Sequence, residues 1–295
     1  MKLSLIELRK IIRKIIKESA EDSSVPYADE ILRLFEPGYE DFMQAANLLE
    51  GLDVFNDTPL KTAIKNKIKE LEIFKDCFEK NVFNIQKISN KDIIDSLFKI
   101  CIHTGLIEEN VKELDLSHLI QLTDLSPISY LQNLTKLNLS GCSKKIQENI
   151  SPLNSLNNLI VLDLQENVYL KDISSLASLH NLKDLNLSSC TELIDISPLK
   201  NLQSLTKLNL SGCEKLENIK SLQNLKNLEI LKLKDCKVLR DISPIISLHK
   251  LTHLDLTGTK ITNKQKQTVQ ENLPNLNIFK SDGRVVNPAK RQNSN

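Results

Sequence analysis

Six cysteines and five histidines are the side chains of this 295-residue chain best suited to zinc binding or to a thiol nucleophile with its base. Cys190, Cys213 and Cys236 follow one another at intervals of 23 residues, and Cys142 precedes them. A zinc site needs ligands converging tetrahedrally at about 2.3 Å, usually presented as closely spaced pairs, whereas equal long intervals spread the sulfurs along a line. The spacing therefore predicts buried, reduced, structural thiols and no metal. Buried thiols so aligned would risk strained cross-links in an oxidising compartment, which favours a cytoplasmic location. Cys77 and Cys101 are too few and too scattered for a disulfide framework. Cys101 and His103 lie two apart on a predicted helix and point in different directions, so they form no ready nucleophile and base. Among seven glycines there is no phosphate-binding loop. The chain is expected to be non-catalytic, with no cofactor.

The elements that position the cysteines are copies of one unit. Seven copies run between residues 111 and 274, clearest in "NLKDLNLSSCTELIDISPLKNLQ" followed by "SLTKLNLSGCEKLENIKSLQNLK". The fourth position is Leu114, Leu137, Leu162, Leu185, Leu208, Leu231 and Leu254, with a two-residue insertion in the second copy, "SGCSKKIQENISPL". Leucines at alternate positions have the period of a half-buried strand, so Leu185 and Leu187 point inward while Asp184, Asn186 and Ser188 point out. Ser-Pro starts a turn, because proline fixes its own φ and disfavours helix in the residue before it. A period of this length means that one supersecondary unit stacks on copies of itself, with strands about 4.8 Å apart in a parallel sheet. His180 and His249 share one inter-copy position with Gln132, Asn157, Gln203 and Lys226, and read as surface loop residues.

The unit L-x-x-L-x-L-x-x-(C/N/T) resembles the leucine-rich repeat, over about 165 of the 295 residues. "DISPLKNLQSL" is similar to the short-repeat class shared by bacterial internalins and a eukaryotic phosphatase regulator. The resemblance implies an α/β fold: a curved leucine-rich repeat solenoid whose concave sheet face binds protein. It also implies that the ninth position, here Leu119, Cys142, Asn167, Cys190, Cys213, Cys236 and Thr259, is an inward ladder whose polar atom satisfies backbone groups. Leu119 departs from that pattern and lacks such an atom.

Composition divides the chain. Seven of eight phenylalanines precede residue 100, which marks a boundary between a helical N-terminal capping domain (1–108) and the solenoid with its C-terminal cap (109–280). Residues 281–295 have no periodicity and read as a disordered tail. In the cap, "ITNKQKQTVQENLPNLNIF" reads as a polar helix followed by a closing strand. A net charge of +1 without a basic stripe argues against nucleic acid. The first helix sets Leu5, Leu8, Ile12 and Ile15 against Arg9, Lys10, Arg13, Lys14 and Lys17. That pattern offers an alternative reading, a membrane-associated effector or anchor held on an anionic surface. The preferred reading is a monomeric, non-catalytic interaction module with a protein partner.

On the concave face, the central row reads Asp115, Asn138, Asp163, Asn186, Asn209, Lys232 and Asp255, and the next row is mostly serine. Two strands interrupt this background. The third carries Val161, Asp163, Gln165 and Glu166. The sixth carries Ile230, Lys232, Lys234 and Asp235, with His253 and Asp255 beside it and Asn209 and Ser211 before it. These residues form the candidate partner site. An exposed isoleucine beside two lysines suits a partner with an acidic patch.

Overall fold

A computed structural model describes residues 110–279, apart from residue 121, together with residues 285 and 286. The expected helical domain over 1–108, its basic first helix, Cys77, Cys101 and His103 lie outside the described residues.

Among the described residues, nine strands form one sheet in sequence order: β1 (Glu113–Asp115), β2 (Lys136–Asn138), β3 (Val161–Asp163), β4 (Asp184–Asn186), β5 (Lys207–Asn209), β6 (Ile230–Lys232), β7 (His253–Asp255), β8 (Asn277–Phe279) and β9 (Val285–Val286). Strands β1 to β8 pair in parallel, and their central residues stack as one column from Leu114 through Leu137, Leu162, Leu185, Leu208, Leu231 and Leu254 to Ile278. Every member of that column is buried, as are the leucines two residues on, such as Leu139, Leu187 and Leu233. Burying a leucine stabilises by about 1.5–3 kcal/mol, and this column runs the length of the sheet, so the core is a continuous seam instead of a centre.

The segments after β1 to β6 each return through a five-residue 3₁₀ helix, as at Ser126–Tyr130, Ser174–Ser178, Ser197–Asn201 and Ser243–Ser247. Proline occupies the first turn of several, where its missing N–H costs nothing. An acceptor two residues before each helix start closes it: Asp124, Asn149, Asp172, Asp195, Asn218 and Asp241 each accept the N–H of the residue two on, at 2.8–3.2 Å. The Ser-Pro reading placed this turn correctly but missed the Asp or Asn that holds it.

The two-residue insertion of the second copy becomes a short helix, α1 (Lys144–Glu148). Its Gln147 is buried, donating to Cys142 O at 2.6 Å and accepting from Tyr169 N at 2.7 Å, so the extra turn is tied to its own repeat and to the next. At the far end, α2 (Asn263–Asn272) begins in a reciprocal cap between Thr262 and Gln265, and β8 closes the parallel run as expected. The segment read as an irregular tail holds β9, which pairs antiparallel with β8. Two valines in succession are a strand signal too short for periodicity to register. Among the described residues, no helix is long and apolar enough to cross a membrane.

Candidate functional site

The ladder cysteines face inward and are buried as free thiols. Each Sγ donates to a backbone carbonyl of the preceding repeat: Cys142 to Leu116 O at 3.5 Å, Cys190 to Leu164 O at 3.3 Å, Cys213 to Leu187 O at 3.3 Å and Cys236 to Leu210 O at 3.2 Å. Burial pushes all four thiols up to about 12, the wrong direction for a nucleophile or a metal-binding thiolate. Asn167 does more in the same column, donating to Leu139 O and Leu164 O at 2.9 Å and accepting from Cys142 N at 3.0 Å. Leu119, the exception, is also buried. No group of three or more His, Cys, Asp or Glu among the described residues is arranged to hold a metal. His180 and His249 are exposed.

The open face of the sheet has a different character. A groove of about 420 Å³ crosses β3 to β6, and its lining brings together Val161, Asp163, Asn209, Ile230 and Lys232 from the two interruptions read in the sequence. Three strand steps, roughly 14 Å, separate Asp163 at one end from Lys232 at the other. Val161 and Ile230 are half-buried in this groove, so the isoleucine expected to stand exposed is partly covered.

Asp184 and Lys207, which the sequence reading passed over, lie between them as register partners on β4 and β5 with an ion pair at 3.7 Å. Glu113 and Lys136 make the same cross-strand pair on β1 and β2 at 3.2 Å. The signal was present in the sequence as acid and base one repeat apart on the first positions of β1 and β2 and of β4 and β5, so that each pair neutralises itself.

The other candidate residues divide by the work they do within the chain. Glu166 and Asp235 occupy the turn after their strands with φ of 61° and 57°, a column that also contains His118, Gly141, Ser189, Gly212 and Gly258. Gln165 donates to Glu166 Oε1 at 2.7 Å and accepts from Asn186 Nδ2 at 3.2 Å, at the β3 margin of the groove. His253 is exposed on β7, its Nδ1 2.8 Å from Thr252 Oγ1.

The central row is not a bare surface. In six repeats its Asp or Asn side chain accepts the N–H two residues on, at 2.9–3.1 Å: Asp115 from Ser117, Asn138 from Ser140, Asp163 from Gln165, Asn186 from Ser188, Asn209 from Ser211 and Asp255 from Thr257. These side chains hold the chain as it leaves the strand, and Ser140 and Ser188, expected to point outward, are buried beneath them. Lys232 alone in the row has no oxygen to offer.

A family model for Zer-1-like leucine-rich repeats matches residues 196–279, and one for leucine-rich repeats in two copies matches residues 157–201. No curated protein sequence matches the chain. Among solved structures, an internalin (InlF) from Listeria monocytogenes is similar at 30% identity and a TM-score of 0.50, over 58% of this chain and 47% of its own. An internalin C2 from the same organism is similar at 28% identity and a TM-score of 0.49, over 62% of this chain and 74% of its own. The chain spans just under half of the length of the first of these structures.

Proposed function

We propose, for a chain that is a leucine-rich repeat protein of the internalin-like type, that the sheet face between β3 and β6 binds a protein partner. The observation that carries this reading is the groove, which gathers into one concavity the two strands whose residues break the repetitive background. Its chemistry suits a polypeptide more than a small molecule. Val161 and Ile230 offer apolar contact, a neutralised Asp184–Lys207 pair lies between them, and unlike charges stand at the two ends. Lys232 and Lys234 are exposed on β6 and just beyond it, and neither forms an ion pair with a described residue. Positive charge left unpaired beside an apolar side chain favours an acidic patch on the partner and steers its approach.

The test is photo-crosslinking in the source cell, with a photoreactive side chain replacing Val161 or Ile230 on the face. A control at Ile194, 60% exposed on the segment after β4, marks the solenoid's other surface. A polypeptide adduct at the face positions and none at Ile194 is the expected result. In the full chain, K232E/K234E should weaken capture of that polypeptide at least tenfold, about 1.4 kcal/mol, with an unchanged melting temperature. Adducts confined to Ile194, or normal capture by the double variant, would move the interface off this face.

A further inference from the structure

The interruption at Lys232 leaves a specific vacancy. In six repeats an Asp or Asn oxygen projecting from the open face receives the N–H two residues on. The equivalent donor in the sixth repeat is Lys234 N–H, and residue 232 is a lysine, which has no oxygen to offer it. The backbone around it is unchanged: Leu233 N donates to Asp255 O at 2.8 Å and Gly212 N to Lys234 O at 2.7 Å, as in the neighbouring repeats. The donor is therefore held in the same frame as its counterparts, which face an oxygen on the open side of the sheet. Asp255, opposite Lys232 in register, turns its Oδ1 to Thr257 N at 2.9 Å and makes no hydrogen bond to Lys234 N.

From this we infer that a carboxylate of the protein partner, an Asp or Glu side chain on an extended acidic segment, occupies the vacant acceptor position. It would accept from Lys234 N–H and lie between the Lys232 and Lys234 ammonium groups. The inference rests on the sheet-face reading above and adds the atoms that recognise the partner. Two features favour a carboxylate over any other acceptor. The position is built, six times over, for an oxygen of an Asp or Asn side chain, which fixes its size and distance from the strand. The two flanking cations, unpaired within the described residues, favour the charged member of that pair. A carboxylate here replaces an internal interaction that the fold uses in every other repeat, so the strand is preorganised to receive it. The apolar wall formed by Ile230 on the same strand sets an aliphatic residue beside the acid in the bound segment.

The substitution K232N separates this from a general charge effect, because it restores the repeat's own oxygen and fills the vacancy from within. The full chain, labelled with ¹⁵N, is titrated with a short glutamate peptide, with inorganic phosphate and with anionic phosphatidylserine vesicles. The peptide should move the Lys234 amide resonance more than any other backbone amide of the sheet. K232N should raise Tm by about 2 °C, as an added hydrogen bond would, and weaken peptide binding at least tenfold. K232M, which removes charge without supplying an oxygen, should weaken binding with no rise in Tm. An unshifted Lys234 amide, or K232N that binds the peptide like the wild type or fails to gain stability, overturns the inference. So does phosphate or the vesicle surface shifting that amide as strongly as the peptide, since the site would then be a general anion site or a membrane contact. Crosslinks from Val161 and Ile230 that persist in K232N would leave the sheet-face reading standing while this inference falls. Their absence from the wild type would remove the reading itself.

Discussion

At the scale of single residues, the ladder shows two solutions to one backbone problem. Asn167 satisfies three backbone groups where each ladder cysteine's thiol satisfies one. Asn167→Ala should therefore cost about 2–3 kcal/mol, leaving Cys142 N and Leu139 O without partners and Leu164 O with the Cys190 thiol alone, while Cys213→Ala should cost only about 1 kcal/mol. Denaturant unfolding of the two variants checks the order. The thiols also make stability depend on pH in the alkaline range. Their folded values lie near 12 against an ordinary value of 9.0, so the folded chain keeps protons that the unfolded chain gives up. That contribution is intact below about pH 9 and is lost as pH rises towards 12. Cys190→Ala should flatten the decline in urea midpoint between pH 9 and 11. An equal decline in the variant would show that the thiols are not responsible. The same burial predicts that none of the four reacts with a thiol reagent until the chain unfolds.

At the scale of elements, the strands were legible and the left-handed turns that follow them were not. Leucines at alternate positions locate β1 to β7 because the apolar period is written directly into residue types. The column of turn residues after the strands is fixed by backbone angle, which residue type records only where glycine appears. Gly258 shows the physics: its φ is 72°, and a Cβ there would lie 1.9 Å from Asp235 Oδ1 of the preceding repeat. Gly258→Ala should destabilise by about 1–3 kcal/mol. Adding Asp235→Gly should recover the part due to the clash and leave the part due to backbone strain, a separation that a double-mutant cycle reads directly. Additive costs would mean that the two repeats do not meet there. The roles of Asp195 and Asn186 escaped the sequence for a related reason. An Asn on a strand or an Asp ahead of a turn reads as an ordinary solvent-facing side chain, and only the local backbone shows that its oxygen is already engaged by the chain's own N–H. The groove was half legible. The departures at β3 and β6 were visible as residue types, while the Asp184–Lys207 pair between them required comparing adjacent repeats position by position.

At the scale of the molecule, each repeat packs only against its neighbours in the column, so damage should stay local. Leu208→Ala in the middle of the seam should cost about 3–5 kcal/mol. Its hydrogen-exchange protection should fall most in β4, β5 and β6, with β1 and β8 close to wild type. Uniform loss of protection would indicate one cooperative unit. The turn column carries a further consequence, for how such an array can be lengthened. The His118, Ser189 and Asp235 side chains approach the turn of the next repeat, and each meets a glycine there, Gly141, Gly212 and Gly258. Tandem duplication of the repeat bearing Asp235 would set one Asp235 copy against the Cβ of the next. Duplicating the two repeats that carry Asp235 and Gly258 together preserves the fit. The array is thus copied without conflict in units of two at that junction.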